Sequence, residues 1–222
     1  MTWATKKLGE VEKLVQPILQ KYERLSLFDS SVYIQLKGYL EDSSWTSGVQ
    51  TVLDQVENAE SIFSIVSEIT AQKNDQKVLE MFSEFDAARW LIKGAIDGKY
   101  DRIVYIKRSS GSKSPDFVAY RGISIFPTEV KMLSPHDTAE DKFVSRVIAK
   151  VNNEAIPQLQ EFAKQNQITK GIILIWTHHP IKLERITYND LDKSVKRFVI
   201  RPGFSFGIFV TIYMHGIWDF YL

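Results

Sequence analysis

Asp116, Glu129 and Lys131 are the residues of this chain whose types and spacing could do chemistry together. All three stand in the run from Ser114 to Lys131, where two apolar, strand-like segments flank a turn expected at Tyr120-Arg121-Gly122. Alternate residues of a strand share a face, so Glu129 and Lys131 point the same way. A hairpin brings Asp116 across to them. Two carboxylates and an ammonium on one sheet face are costly to gather unless something uses them. A divalent cation is the usual reason. Hard cations take carboxylate oxygens, and a nearby amine orients or activates a water.

The elements that must position these residues can be read from periodicity. A helix is expected over about residues 76–93 and closes near Gly94. A strand at 102–107, a polar loop at 109–114 and the hairpin follow. Residues 137–164 read as mostly helical, with Phe143, Val147 and Val151 stacked on one face and Val144, Ile148, Ala155 and Leu159 nearby. The compact apolar run 171–176 reads as a buried strand, and the aromatic, β-branched run 204–213 as another. The resulting order is helix, three strands, helix, strand.

Pro115-Asp116 and Glu129-x-Lys131, set in that order of elements, resemble the motif of the PD-(D/E)xK phosphodiesterase superfamily, the fold of many restriction enzymes and repair nucleases. The resemblance covers roughly residues 80–176 and is strongest at 114–131. It implies an α/β protein with a restriction-endonuclease-like αβββαβ core and a mixed central sheet at 73–222, behind a helical segment at 1–72. The implied activity is metal-dependent hydrolysis of phosphodiester bonds in nucleic acid, DNA favoured, by an endo- or exodeoxyribonuclease. The implied cofactor is Mg²⁺, with Mn²⁺ as a substitute. Asp116, Glu129 and the Val130 carbonyl would hold the metal, and Lys131 would position or deprotonate the attacking water. Nucleases of this superfamily often draw a further glutamate from the helix before the strands. Glu84, in Ser83-Glu84-Phe85-Asp86-Ala87-Ala88, is the candidate for that metal-site role, with Glu80 one turn away as the alternative.

Three residues are candidates for contact with nucleic acid. Gln158 and Phe162 are similar to the Gln-x-x-x-Tyr of the exonuclease-like branch, in which the amide lies near the nucleic-acid backbone. Phe162 lacks the phenol, and Pro157 disturbs the helix, so a plain amphipathic helix with one polar glutamine is the other reading. Lys150 is a comparable phosphate contact. Lys113 belongs to the polar loop that leads to Asp116. Pro127 cannot donate in a strand ladder and suggests a bulge or irregular entry into the second strand.

The histidines are His136, His178, His179 and His215. Neighbours on a strand face opposite ways, so His178 and His179 do not readily share a metal and read as loop residues. The sequence contains no cysteine, which excludes disulfides, thiolate zinc sites, iron–sulfur clusters and cysteine catalysis. No Ser/His/Asp signature or Gly-rich nucleotide fingerprint is present.

The chain has 222 residues and net charge +1. Residues 1–72 hold six Lys/Arg against ten Asp/Glu, and residues 164–201 hold eight against three. Any phosphate contact is therefore expected from the C-terminal half. The acidic N-terminal segment is expected to support the core, mediate homodimerisation or bind a protein. No apolar run reaches the length of a membrane span, and the first residues lack a signal-peptide core. A cytoplasmic protein with nucleic acid as its partner is the expectation. A non-catalytic nucleic-acid-binding or assembly module on the same fold is the alternative.

In the N-terminal segment, helices are expected over 5–24, where Pro17 threatens a kink or split, and over 48–69. Residues 28–42 fit either a strand or a short helix. The polar string 70–76 suggests the boundary between segments. The apolar ending 218–222 is expected in the core or at an interface.

Overall fold

The computed structural model describes residues 3–70, 74–106, 114–133, 140–168, 170–177, 205–212 and 216–221. The chain is α/β and divides into two compact units, Met1–Lys107 and Arg108–Leu222. The sequence-based boundary at 72/73 lies inside the first of them.

The first unit is mainly helical: α1 (Trp3–Arg24), α2 (Ser31–Glu41), α3 (Ser43–Gln55), β1 (Val56–Glu57), a 3-10 segment (Ala59–Glu68), α4 (Asn74–Ile96) and β2 (Arg102–Tyr105). Pro17 neither splits nor ends α1, because its neighbours Val15, Ile18 and Leu19 are all buried. That burial outweighs one lost hydrogen bond. The ambiguous stretch 28–42 contains helix α2. Ser30 caps it by accepting from the Tyr33 N–H, and Val32 and Leu36 are buried while Ile34 is exposed. A strand would have put all three on one face.

The single helix expected at 48–69 is instead α3, β1 and the 3-10 segment. Asn58 adopts a left-handed conformation and breaks the run. Val56 and Glu57 pair in parallel with Ile103 and Val104 of β2. Helix α4 belongs with the N-terminal helices for a physical reason. Tyr22 Oη and Ser30 Oγ both donate to Asp75 Oδ1, at 3.1 and 2.7 Å. Phe82 and Phe85 also lie against the stacked pair Tyr39 and Trp45. Helix α4 runs through Gly94, where a Cβ would stand 2.6 Å from the Tyr100 ring.

The second unit contains β3 (Phe117–Arg121), β4 (Ser124–Leu133), α5 (Glu140–Lys150), a π-turn (Val151–Ala155), α6 (Ile156–Asn166), β5 (Lys170–Thr177), β6 (Ser205–Ile212) and β7 (Gly216–Tyr221). These strands form a five-stranded mixed sheet in the order β3-β4-β5-β6-β7. β3 and β7 are antiparallel to their neighbours, and β4, β5 and β6 are parallel. Parallel β4 and β5 require a crossover, which α5 and α6 supply. The expected strand at 204–213 is β6, and the apolar ending lies largely in β7. The hairpin turn is Gly122-Ile123, which shares only Gly122 with the expected Tyr120-Arg121-Gly122. Gly122 has φ +53, which a two-residue hairpin needs at its first position. Among the described residues no helix is long and apolar enough to cross a membrane.

Candidate active site

The β3–β4 hairpin pairs Phe117 with Thr128, and the same register continued by one residue sets Asp116 opposite Glu129. The Asp116 side chain confirms the approach: its Oδ2 accepts from the Val130 N–H at 2.7 Å. The regular β3 ladder stops at Phe117, and the carboxylate takes over the next donor of β4. A residue in a strand turns its N–H and C=O to the same side. The Val130 carbonyl is therefore turned toward the Asp116 side of β4.

This geometry also places Pro127. N–H groups alternate sides along a strand, so with Val130 facing β3, position 127 faces β5. Pairing with β5 begins only at Thr128. Proline occupies a position where no ladder donor is lost, and the β3–β4 register runs through it without a bulge. The expected irregularity is absent.

Asp116 and Glu129 have no exposed surface. Lys131 Nζ donates to Glu129 Oε1 at 2.6 Å and to Gln158 Oε1 at 2.7 Å. Ile173 and Ile175 of β5, paired with Glu129 and Lys131, are buried on the same face. The charges thus sit in an apolar setting that strengthens their interactions and makes each costly if left uncompensated.

Gln158, expected near a nucleic-acid backbone or as an ordinary helix residue, is brought against Lys131. Sequence reasoning missed this contact. One available signal was the strict four-residue spacing of Phe143, Val147, Val151, Ala155, Leu159 and Ala163, all buried. Lys150 is paired with Glu154, Nζ to Oε1 at 2.9 Å, as neighbours one helical turn apart. Lys113, the four histidines and the loop expected at 109–114, Ser114 excepted, lie outside the described residues.

Glu84 belongs to the first unit, where its Oε2 accepts from Tyr105 Oη at 2.6 Å. Glu80 instead accepts from Lys77 Nζ at 3.1 Å and from Gln76 Nε2 at 3.3 Å. Asp86, close by on α4, has its carboxyl pushed up to about 6 by burial, partly offset by Arg89.

Among the described residues no group of three His, Cys, Asp or Glu side chains is arranged to hold a metal ion. Asp116 and Glu129, with the Val130 carbonyl, are nevertheless a set of hard oxygens on one strand pair. That donor chemistry fits Mg²⁺, which binds through one or two carboxylates and keeps several waters. No protein-family model, no curated protein and no solved structure matches this chain.

Proposed function

We propose that this chain is a metal-dependent nuclease of PD-(D/E)xK type that hydrolyses phosphodiester bonds in nucleic acid, with DNA the favoured substrate. One observation carries the reading: two fully buried carboxylates, one just before β3 and one on β4, with a lysine two residues after the second and bonded to it. The chain order α4, β2, β3, β4, α5–α6, β5 supports it, since it follows the αβββαβ order of that core.

Asp116, Glu129 and the Val130 carbonyl would hold Mg²⁺ or Mn²⁺. A bound divalent ion supplies a water of lowered pKa and neutralises phosphate charge. Asp116 is fastened to β4 through the Val130 N–H, so the two carboxylates keep a fixed separation. Lys131 has three N–H donors and spends two, on Glu129 and Gln158. The third serves the attacking water or a phosphate oxygen, where it offsets developing negative charge. The buried isoleucines beside it make the surroundings apolar, which strengthens that interaction. The resemblance separately implies a metal-site role for Glu84 of the first unit. Its assignment rests on the sequence pattern, with Tyr105 as the hydrogen-bond partner that orients it.

The test is cleavage of plasmid, linear duplex, single-stranded DNA and RNA in Mg²⁺ or Mn²⁺ by wild type, Asp116→Ala and Lys131→Ala. Metal-dependent cutting by wild type alone is the expected result, and it identifies the substrate class. Metal binding without cutting would favour a binding or assembly module. Equal cutting by all three proteins would remove the site.

A further inference from the structure

We infer that Gln158 is a positioning residue for Lys131 and that the π-turn before it sets its aim; the inference rests on the nuclease reading above. Lysine has donors and no acceptor, so the amide must face it with oxygen, as Oε1 does at 2.7 Å. The Lys131 ammonium is held from two elements: Glu129 on its own strand and Gln158 on α6. A loose four-carbon side chain samples many rotamers. Two acceptors from different elements confine it in a way that Glu129 alone would not.

The helix phase explains how the amide arrives there. The six buried positions from Phe143 to Ala163 are four residues apart. Four residues of α-helix turn about 400°, so each step overshoots by about 40°. Five steps accumulate about 200°, which would carry one end of an unbroken α-helix away from the sheet. The Ile156 N–H instead bonds to the Val151 carbonyl, an i→i+5 turn that takes in one extra residue. That residue gives back about 100°. Pro157 follows directly, where its missing N–H breaks the regular α-helical bond to Asn153. Leu159 returns to the core, and Gln158 beside it returns to Lys131.

The rival role is contact with the nucleic-acid backbone. Two observations count against it: the amide oxygen is committed to Lys131, and Phe162 provides no phenol. The experiment measures kcat, KM and Tm for wild type, Gln158→Leu and Gln158→Glu on the substrate found above. Gln158→Leu is expected to lower kcat by about ten- to a hundredfold, the cost of a small misplacement, with KM unchanged. Gln158→Glu keeps an acceptor at the same reach and should recover most of that loss. A rise in KM with kcat intact would overturn the inference, as would equal kcat losses in both variants.

A readout independent of cutting is the ¹H–¹⁵N signal of the Lys131 ammonium, whose exchange is slowed by its two acceptors. It should be present in wild type and Gln158→Glu and absent in Gln158→Leu; an unchanged signal in Gln158→Leu would overturn the contact. Full cutting by Asp116→Ala and Lys131→Ala would sink the nuclease reading instead, and the ammonium signal would still decide the role of Gln158.

Discussion

The buried ion pair of the second unit contrasts with the surface pairs of the first. In the first, ion pairs sit at the surface. Arg102 and Glu57 join two strands at 2.6 Å with both side chains more than half exposed. Lys77 bridges Glu68 and Glu80 at 3.0 and 3.1 Å, with the lysine half-buried and the two acids more open to solvent. In the second, Glu129 is fully buried and its lysine nearly so, at 0% and 11% exposure. The bond lengths are alike, but water screens one kind of pair and not the other. A surface pair needs no explanation beyond solvation. A buried acid–acid–lysine group is costly to assemble, and that cost is what the proposed activity would explain.

The largest expected effect that would break this contrast is on activity. Asp116→Asn keeps an acceptor for the Val130 N–H but removes the charge. Metal-dependent cleavage should fall by about a thousandfold, within the range electrostatic stabilisation supplies, while Tm moves little. A matching loss of Tm would make Asp116 a structural residue.

Next is the stability of the buried pair. Lys131→Ala leaves the Glu129 carboxylate buried without its ammonium and should destabilise the second unit by about 3 kcal/mol. Adding Glu129→Gln should recover much of that loss without restoring cleavage. Urea unfolding of the single and double variants checks the recovery.

Gly94→Ala comes third. The new methyl would meet the Tyr100 ring at 2.6 Å, although alanine is the better helix former. Overpacking should win and cost about 2 kcal/mol in denaturant unfolding. A gain in stability would show that the ring moves aside.

The smallest effects belong to the surface. Arg102→Ala should cost little stability, and high salt should shrink the effect further. Asp86 gives a pH signature of opposite sign to a salt-bridged acid. Its folded pKa, about 6, stands above the ordinary 3.8, so the folded state binds more protons between those values. Stability should therefore fall as pH rises from about 4 to 6 and then level off. Solvent on the 36% exposed side chain reduces the amplitude. Asp86→Asn should flatten the slope, as Tm against pH would show.

The site was legible where its information is local. Asp116, Glu129 and Lys131 lie within one hairpin, and strand alternation with a short turn is enough to face them together. The helical stripe of α1 and the strands β3 to β6 came from the same kind of pattern. Reading failed where a local pattern had two outcomes. Residues 48–69 carry a helical apolar stripe, yet Asn58 and the pairing of Val56 with Ile103, far along the chain, divide it. The 70–76 string is polar enough for a linker, yet Asp75 is bonded back to Tyr22 and Ser30.

The sequence by itself determined the α/β class, the hairpin and the three residues it gathers, because periods of two and 3.6 residues are set by backbone geometry. Tertiary structure alone decided which helix serves them. Gln158 reaches Lys131 because a parallel crossover lays α6 on β4 and a π-turn corrects its phase. The crossover depends on contacts between residues far apart in the chain, which no local spacing encodes, whereas the π-turn is local and the four-residue spacing of the buried positions signals it.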